Sequence, residues 1–179
     1  MKQQNYIALW AALFFSSACA ANNNWHVGAE ADVLPYLLNG HYFSLTAGRG
    51  HLKFRGVVTK FESPDMFTQN GFKDHQVDVG AVIVDYYPDP SQQGFWIGFG
   101  AEQWRGDVTE EQSSDRKSYQ TYLATLGCGY VHYLAPHIYV NPWAGIHVPV
   151  AGDKSVKFGS SAFDMKTTGE VSVKIGVNF

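Results

Sequence analysis

The sequence predicts an all-β fold, an eight-stranded antiparallel up-and-down transmembrane β-barrel preceded by a signal peptide. Three observations lead there. Eight segments alternate apolar and polar residues with the period of two that belongs to strands. The connections between them tend to alternate short and long. The chain also ends on a strand, Thr168 to Phe179, with Val171, Val173, Ile175, Val177 and Phe179 on one face. Its other face carries Glu170, Ser172, Lys174, Gly176 and Asn178. In a water-soluble protein the apolar face would turn inward. In a membrane-spanning barrel it turns to lipid, and the polar face looks into the lumen.

The amino terminus supports export. Lys2 is the only charge in the first five residues, Tyr6 to Phe15 form an unbroken apolar run, and Ser16 to Ala20 are small. That order is a secretory signal peptide. Ala18 and Ala20 place cleavage after Ala20, which divides the chain into a signal peptide at 1–20 and a barrel at 21–179. The apolar run is too short to cross a bilayer as a helix. Cys19 could instead be the lipidated cysteine of a lipoprotein signal, but Ser16 stands where such signals carry Leu.

Without its signal the chain is roughly 160 residues, one domain's worth. Its mean hydropathy is slightly negative. Barrel strands interleave lumen and lipid residues, so that average does not speak against a membrane location. Aromatic residues at 15% and 18 glycines, with only 16% charged residues, favour short strands. Once the signal is removed Cys128 stands alone, which rules out an intramolecular disulfide. A net charge of −3 with no basic stripe argues against nucleic acid as a partner.

Taken in order, the first strand is Trp25 to Leu34, with Val27, Ala29 and Ala31 against Gly28, Glu30 and Asp32. Pro35 to Gly40 breaks it. His41 to Gly48 sets Phe43, Leu45 and Ala47 against Tyr42, Ser44 and Thr46, and Arg49-Gly50 turns tightly into the third strand. There Leu52, Phe54 and Val58 oppose Lys53, Arg55 and Val57. A polar loop, 62–74, carries the Asn70-Gly71 turn signal. The fourth strand, His75 to Tyr86, shows Val77, Val79, Ala81 and Ile83 as its apolar set, although Val82 and Val84 occupy the other face.

A connection over 87–94 leads to Phe95–Trp104, where Phe95, Ile97, Phe99 and Ala101 oppose Trp96, Gly98, Gly100 and Glu102. A charged loop is expected over 105–118. Tyr119 to His132 sets Tyr122, Ala124, Leu126 and Tyr130 against Thr121, Leu123, Thr125, Gly127 and Gly129. After a turn at 133–136, His137 to Val148 sets Ile138, Val140, Ala144 and Ile146 against Tyr139, Asn141, Trp143 and His147. Pro142 cannot donate to a ladder, so a bulge or local break is expected there. The longest loop, 149–167, precedes the final strand. With both ends in the periplasm, the gaps 49–50, 87–94 and 133–136 become periplasmic turns and the longer loops face outside.

This whole layout resembles the small eight-stranded outer-membrane barrels of the OmpX and OmpA-transmembrane-domain type. The last strand is its one specific motif. The resemblance implies that the assembly machinery reads Val171, Val173, Ile175, Val177 and Phe179, and that the mature protein sits in a Gram-negative outer membrane. Its partners would then be outer-membrane lipids and lipopolysaccharide, as a monomer.

An eight-stranded barrel has an interior that side chains can fill. The polar faces place Glu30, Asp32, Lys53, Arg55, Glu102, Glu170 and Lys174 there. Buried charges persist only when paired, so a plug of mutual ion pairs is expected. Antiparallel closure puts Glu30 and Lys174 at similar depth, and we expect them to pair, with Lys53 and Arg55 completing the network. The functional alternative is a proton or ion path.

The seven histidines show no metal-ligand spacing, and no catalytic, metal or cofactor site is expected. His147, near the external mouth, is the one to watch. Gly98-Phe99-Gly100 lacks the βαβ context of a dinucleotide site and more simply makes room for Trp96 and Trp143. Arg105-Gly106-Asp107, an integrin-type tripeptide, is expected to open an external loop. The leading function is a structural or surface-interaction role without an open pore. A lipid A-modifying barrel enzyme and a narrow conduit for small apolar molecules remain alternatives, with a soluble lipocalin-type barrel as a third.

Overall fold

A computed structural model describes residues 25–179. The signal peptide at 1–20, the cleavage point after Ala20 and Cys19 lie outside the described residues. The wall consists of β1 (His26–Asp32), β2 (His41–Arg49), β3 (Leu52–Ser63), β4 (Phe72–Tyr86), β5 (Gly94–Glu110), β6 (Arg116–Ala135) and β7 (Ile138–Gly152). A small hairpin follows, β8 (Ser155–Phe158) with β9 (Ser161–Asp164), and β10 (Thr168–Asn178) closes the wall. The ring order β1-β10-β7-β6-β5-β4-β3-β2 makes an eight-stranded antiparallel up-and-down barrel.

The period of two decides which residues face the lumen. Glu30, Asp32, Ser44, Thr46, Lys53, Arg55, Trp96, Thr125, Asn141 and Lys174 are buried. On alternate positions of the same strands, Phe43, Phe54, Ile97, Phe99, Leu126, Ile146, Val173 and Ile175 are exposed large hydrophobics. So much outward apolar surface on a closed sheet has its natural solvent in hydrocarbon. At the lower end Trp25, Tyr86, Phe95, Tyr130 and Phe179 are exposed, the kind of aromatic girdle that sits at a membrane interface. The soluble lipocalin-type reading requires the opposite orientation and is set aside.

Three expectations are corrected and one is met. First, the phase of the fourth strand is inverted: Val77, Val79 and Ala81 are buried in the lumen, whereas Val82 is exposed. Asp85, on the inward row, lies against Arg55, and that ion pair sets the phase. Second, most of the charged segment 105–118 is strand. β5 and β6 stay paired from Gly94↔Val131 to Thr109↔Arg116, so Arg105-Gly106-Asp107 lies in a ladder and not in a loop. Val108 and the adjoining Tyr119, on the inward rows of β5 and β6, are buried against Phe72, Phe158 and Phe163, forming a small core at the external end of the barrel. Third, the last loop contains the β8–β9 hairpin. The local break expected at Pro142 is present: the ladder to β6 lapses between Gly129↔Trp143 and His132↔Val140 and resumes without a register shift, while Pro142 pairs with Val173 of β10.

The break after β1 is a short helix, α1 (Val33–Leu37). Asp32 caps it by accepting from the Leu34 amide at 3.1 Å. Pro35 is tolerated in the first turn, and Asn39 ends the segment in the left-handed region at φ 53°.

Leu126 sits on the lipid face near mid-strand and is 57% exposed. Leu126→Arg is expected to cost about 2–4 kcal/mol when urea unfolding is followed in lipid vesicles. Leu126→Val should cost well under half of that.

Candidate functional site: a chamber above a buried ion cluster

The lower half of the lumen is filled. Arg55 on β3 reaches Asp85 on β4 and lies 3.3 Å from Glu30 on β1 through its Nε. Tyr139 donates its hydroxyl to Glu30 at 2.7 Å. Lys174 on β10 lies 3.6 Å from Asp32, which also accepts from Trp143 Nε1 at 2.7 Å and from the Ser172 hydroxyl. The expected Glu30–Lys174 pair is therefore not made. Closure pairs Glu30 with Gly176 and Asp32 with Lys174, two residues off the register assumed from the sequence.

Lys53 completes no ion pair among the described residues. Its ammonium lies 5.2 Å from the centre of the Tyr87 ring and 5.0 Å from that of Tyr139. Cation–π attraction is its partner there. Lys174 Nζ sits 3.4 Å from the Trp143 centroid. Tyr87, Trp96, Val131 and Tyr139 pack around these charges. Gly129 and Gly98 make room for Trp96, since a Cβ on Gly129 would fall 2.7 Å from its ring. Trp96 in turn donates to Asn141 Oδ1 at 2.9 Å.

Glu102 and Glu170 belong to a second, higher cluster. His147 Nδ1 lies 3.1 Å from Glu102 and its Nε2 3.5 Å from Glu170. Trp104 donates to Glu102 at 2.6 Å. Between the two clusters and the external rim lies a cavity of about 600 Å³. Arg55, Trp96, Trp143 and Lys174 line its floor. Tyr42, Val57, Val79, Ala81 and Leu123 line its walls, with Phe163 and Met165 of the last loop above. A concave, mostly apolar space with a limited set of polar groups is the usual form of a small-molecule site.

The chamber escaped the sequence because its wall comes from the inverted fourth strand. Asp85 was missed as a cluster member for the same reason, whereas Tyr139 and Trp143 read as inward on their strand but carry no charge to mark them as partners of Glu30 and Asp32. An aspartate opposite Lys53 and diagonal to Arg55 was the available signal, once β3 and β4 are paired through Arg55↔Ile83 and Lys53↔Asp85.

No protein-family model matches this sequence, and neither does any curated protein sequence. Among solved structures, Neisserial surface protein A superposes with a TM-score of 0.54 at 13% identity, covering 87% of this chain and 97% of that one. The fold is that of the small eight-stranded outer-membrane barrels. The N-terminal barrel domain of Pseudomonas aeruginosa OprF gives 0.49 at 10% identity, covering 87% and 96%. The likeness to Neisserial surface protein A, at 13% identity, speaks for the fold and not for a shared ligand.

Above the lipid belt, whose upper edge is marked by the outward Lys60–Asp78 pair at 3.6 Å, His75 packs on Phe163 with ring centres 5.0 Å apart. Burial pushes its imidazolium down to about 4. A folded-state value below the unfolded one means stability is full above about pH 6.5 and lost as pH falls toward 4. Limited proteolysis of segment 153–166 should therefore accelerate over that window, and His75→Phe should flatten the response. In the lower cluster, Arg55→Met strands two buried carboxylates and should cost about 3–5 kcal/mol in urea unfolding. Joint replacement of Arg55, Glu30 and Asp85 by apolar residues should recover most of that loss.

Proposed function

We propose that the protein is a monomeric barrel of a Gram-negative outer membrane that holds a small apolar molecule in its externally facing chamber. The lipid-facing belt supports the location, and the terminal strand supports recognition by the assembly machinery. The observation that carries the ligand reading is the 600 Å³ apolar cavity perched on a filled lower lumen. A conduit to the periplasm would need that lower half open, and a purely structural barrel gains nothing from a void, which costs packing energy. Surface interaction in this reading means capture of a small apolar molecule, with lipopolysaccharide and lipid as neighbours.

An enzymatic reading has one point in its favour. Thr125 Oγ1 lies 3.0 Å from His147 Nδ1, with Glu170 beyond Nε2, in the order nucleophile, base, orienting acid. The same Nδ1 faces both oxygens of Glu102 at 3.1 and 3.2 Å. A nitrogen donating to a carboxylate is not free to take a hydroxyl proton, so binding is favoured over acyl transfer.

Titration of N-phenylnaphthylamine into protein reconstituted in lipid nanodiscs tests the reading. Saturable fluorescence enhancement is expected, weakened at least tenfold in Leu123→Trp, which fills the chamber. Heat-modifiable gel mobility should be unchanged in that variant. Equal binding by both proteins would refute the chamber as a ligand site.

A further inference from the structure

The wall is not equally complete all round. β1 has seven residues, and its pairing with β10 covers only Gly28↔Asn178 to Asp32↔Lys174. Above that point β10 is laddered on its β7 side alone, from Thr168↔His147 to Val173↔Pro142. Across the gap, residues 41–43 of β2 are laddered only to β3. Two strand edges therefore face each other without a strand between them.

This gap lies at membrane depth. β7 continues to present exposed Ile146, Val148 and Val150 to the outside at and beyond the level of Thr168. Unpaired backbone edges are tolerated in hydrocarbon only when protein covers them or a cavity lies behind them. Here both hold. Helix α1 lies over the gap, and Leu34, Pro35, Leu38 and Val171 line the chamber behind it. Its backbone attachment to β10 is a single bond, from the Leu34 amide to the Ser172 hydroxyl at 3.2 Å, in place of a ladder. Val33 to Leu37 include no charged residue. On the outer side Leu37 and Val171 are 74% and 77% exposed. Val171 thus borders both the chamber and the lipid.

We propose that the gap between β10 and β2, with α1 as its cover, is a lateral passage joining the chamber to the outer leaflet. Its ligand is a single hydrocarbon chain that arrives dissolved in the membrane. The apolar border on both sides of α1 selects a chain over a hydrated solute, and Phe163 and Met165 cover part of the direct route from water. This rests on the chamber being a ligand site, and the two ideas fail separately.

The experiment uses full-length mature protein in liposomes, with Cys128→Ser as background and pyrene-dodecanoic acid already in the bilayer. Leu34→Cys with Ser172→Cys allows a disulfide that pins α1 to β10. Oxidation is expected to slow probe acquisition at least tenfold, and reduction of the same sample to restore it. Undiminished uptake in the oxidised protein overturns the passage, and if Leu123→Trp then abolishes uptake the chamber survives as an externally loaded site. Uptake unaffected by Leu123→Trp removes both. Should the disulfide fail to form, Leu34→Ala with Leu38→Ala thins the cover and must accelerate uptake at least threefold. No acceleration there also overturns the passage.

Discussion

Arg55 is the residue on which the interior is organised. It meets Asp85 on the adjacent strand and Glu30 from β1, two strands away around the ring, in a place where neither carboxylate has water to turn to. A guanidinium suits that position because its planar fork of donors can serve two acceptors while remaining charged. The pairs are weak evidence for net stability, since desolvation offsets much of the attraction. They do constrain registry: sliding β4 by one residue would take Asp85 out of the lumen and strand the arginine. The inward phase of Val77, Val79 and Ala81 follows from that constraint, and those residues make the chamber wall apolar.

One ion cluster therefore divides the lumen. Below, charges, tyrosines and Trp96 pack the space between strands. Above, the same strands turn short apolar side chains inward and leave a volume unfilled. The Glu102–His147–Glu170 group at the side keeps its polar atoms facing one another, so the chamber keeps a largely apolar surface. The short β1 then makes one wall of that chamber thinner than the rest, and a five-residue helix stands where strand would otherwise continue.

With the Leu126, Arg55 and Leu123 substitutions in view, it is clear which parts of this design a single sequence displays. Alternation is a local property, and seven of the eight strands show their lumen face directly, from Glu30 and Asp32 through Lys174. β4 does not, because it is apolar on both faces and its choice depends on Arg55, 30 residues away on the adjacent strand. The 105–118 segment reads as a loop because its charges dominate composition, yet they alternate with Val108 and Tyr119, which pack on a hairpin far along the chain. Glu30 finds Arg55 and not Lys174 because closing register is decided by the whole ring. Depth along a strand can be counted, but the offset between the first and last strands cannot.

The unequal strands have a further consequence for the shape presented to the surroundings. β5 and β6 run to 17 and 20 residues, whereas β1 and β2 have seven and nine. The cylinder is thus cut obliquely, with a tall ridge on one flank and a sill near the bilayer on the other. A bulky object descending from outside, such as an antibody or a phage tail, is stopped by the ridge and held away from the sill. Molecules already lying within the membrane approach that low flank unhindered.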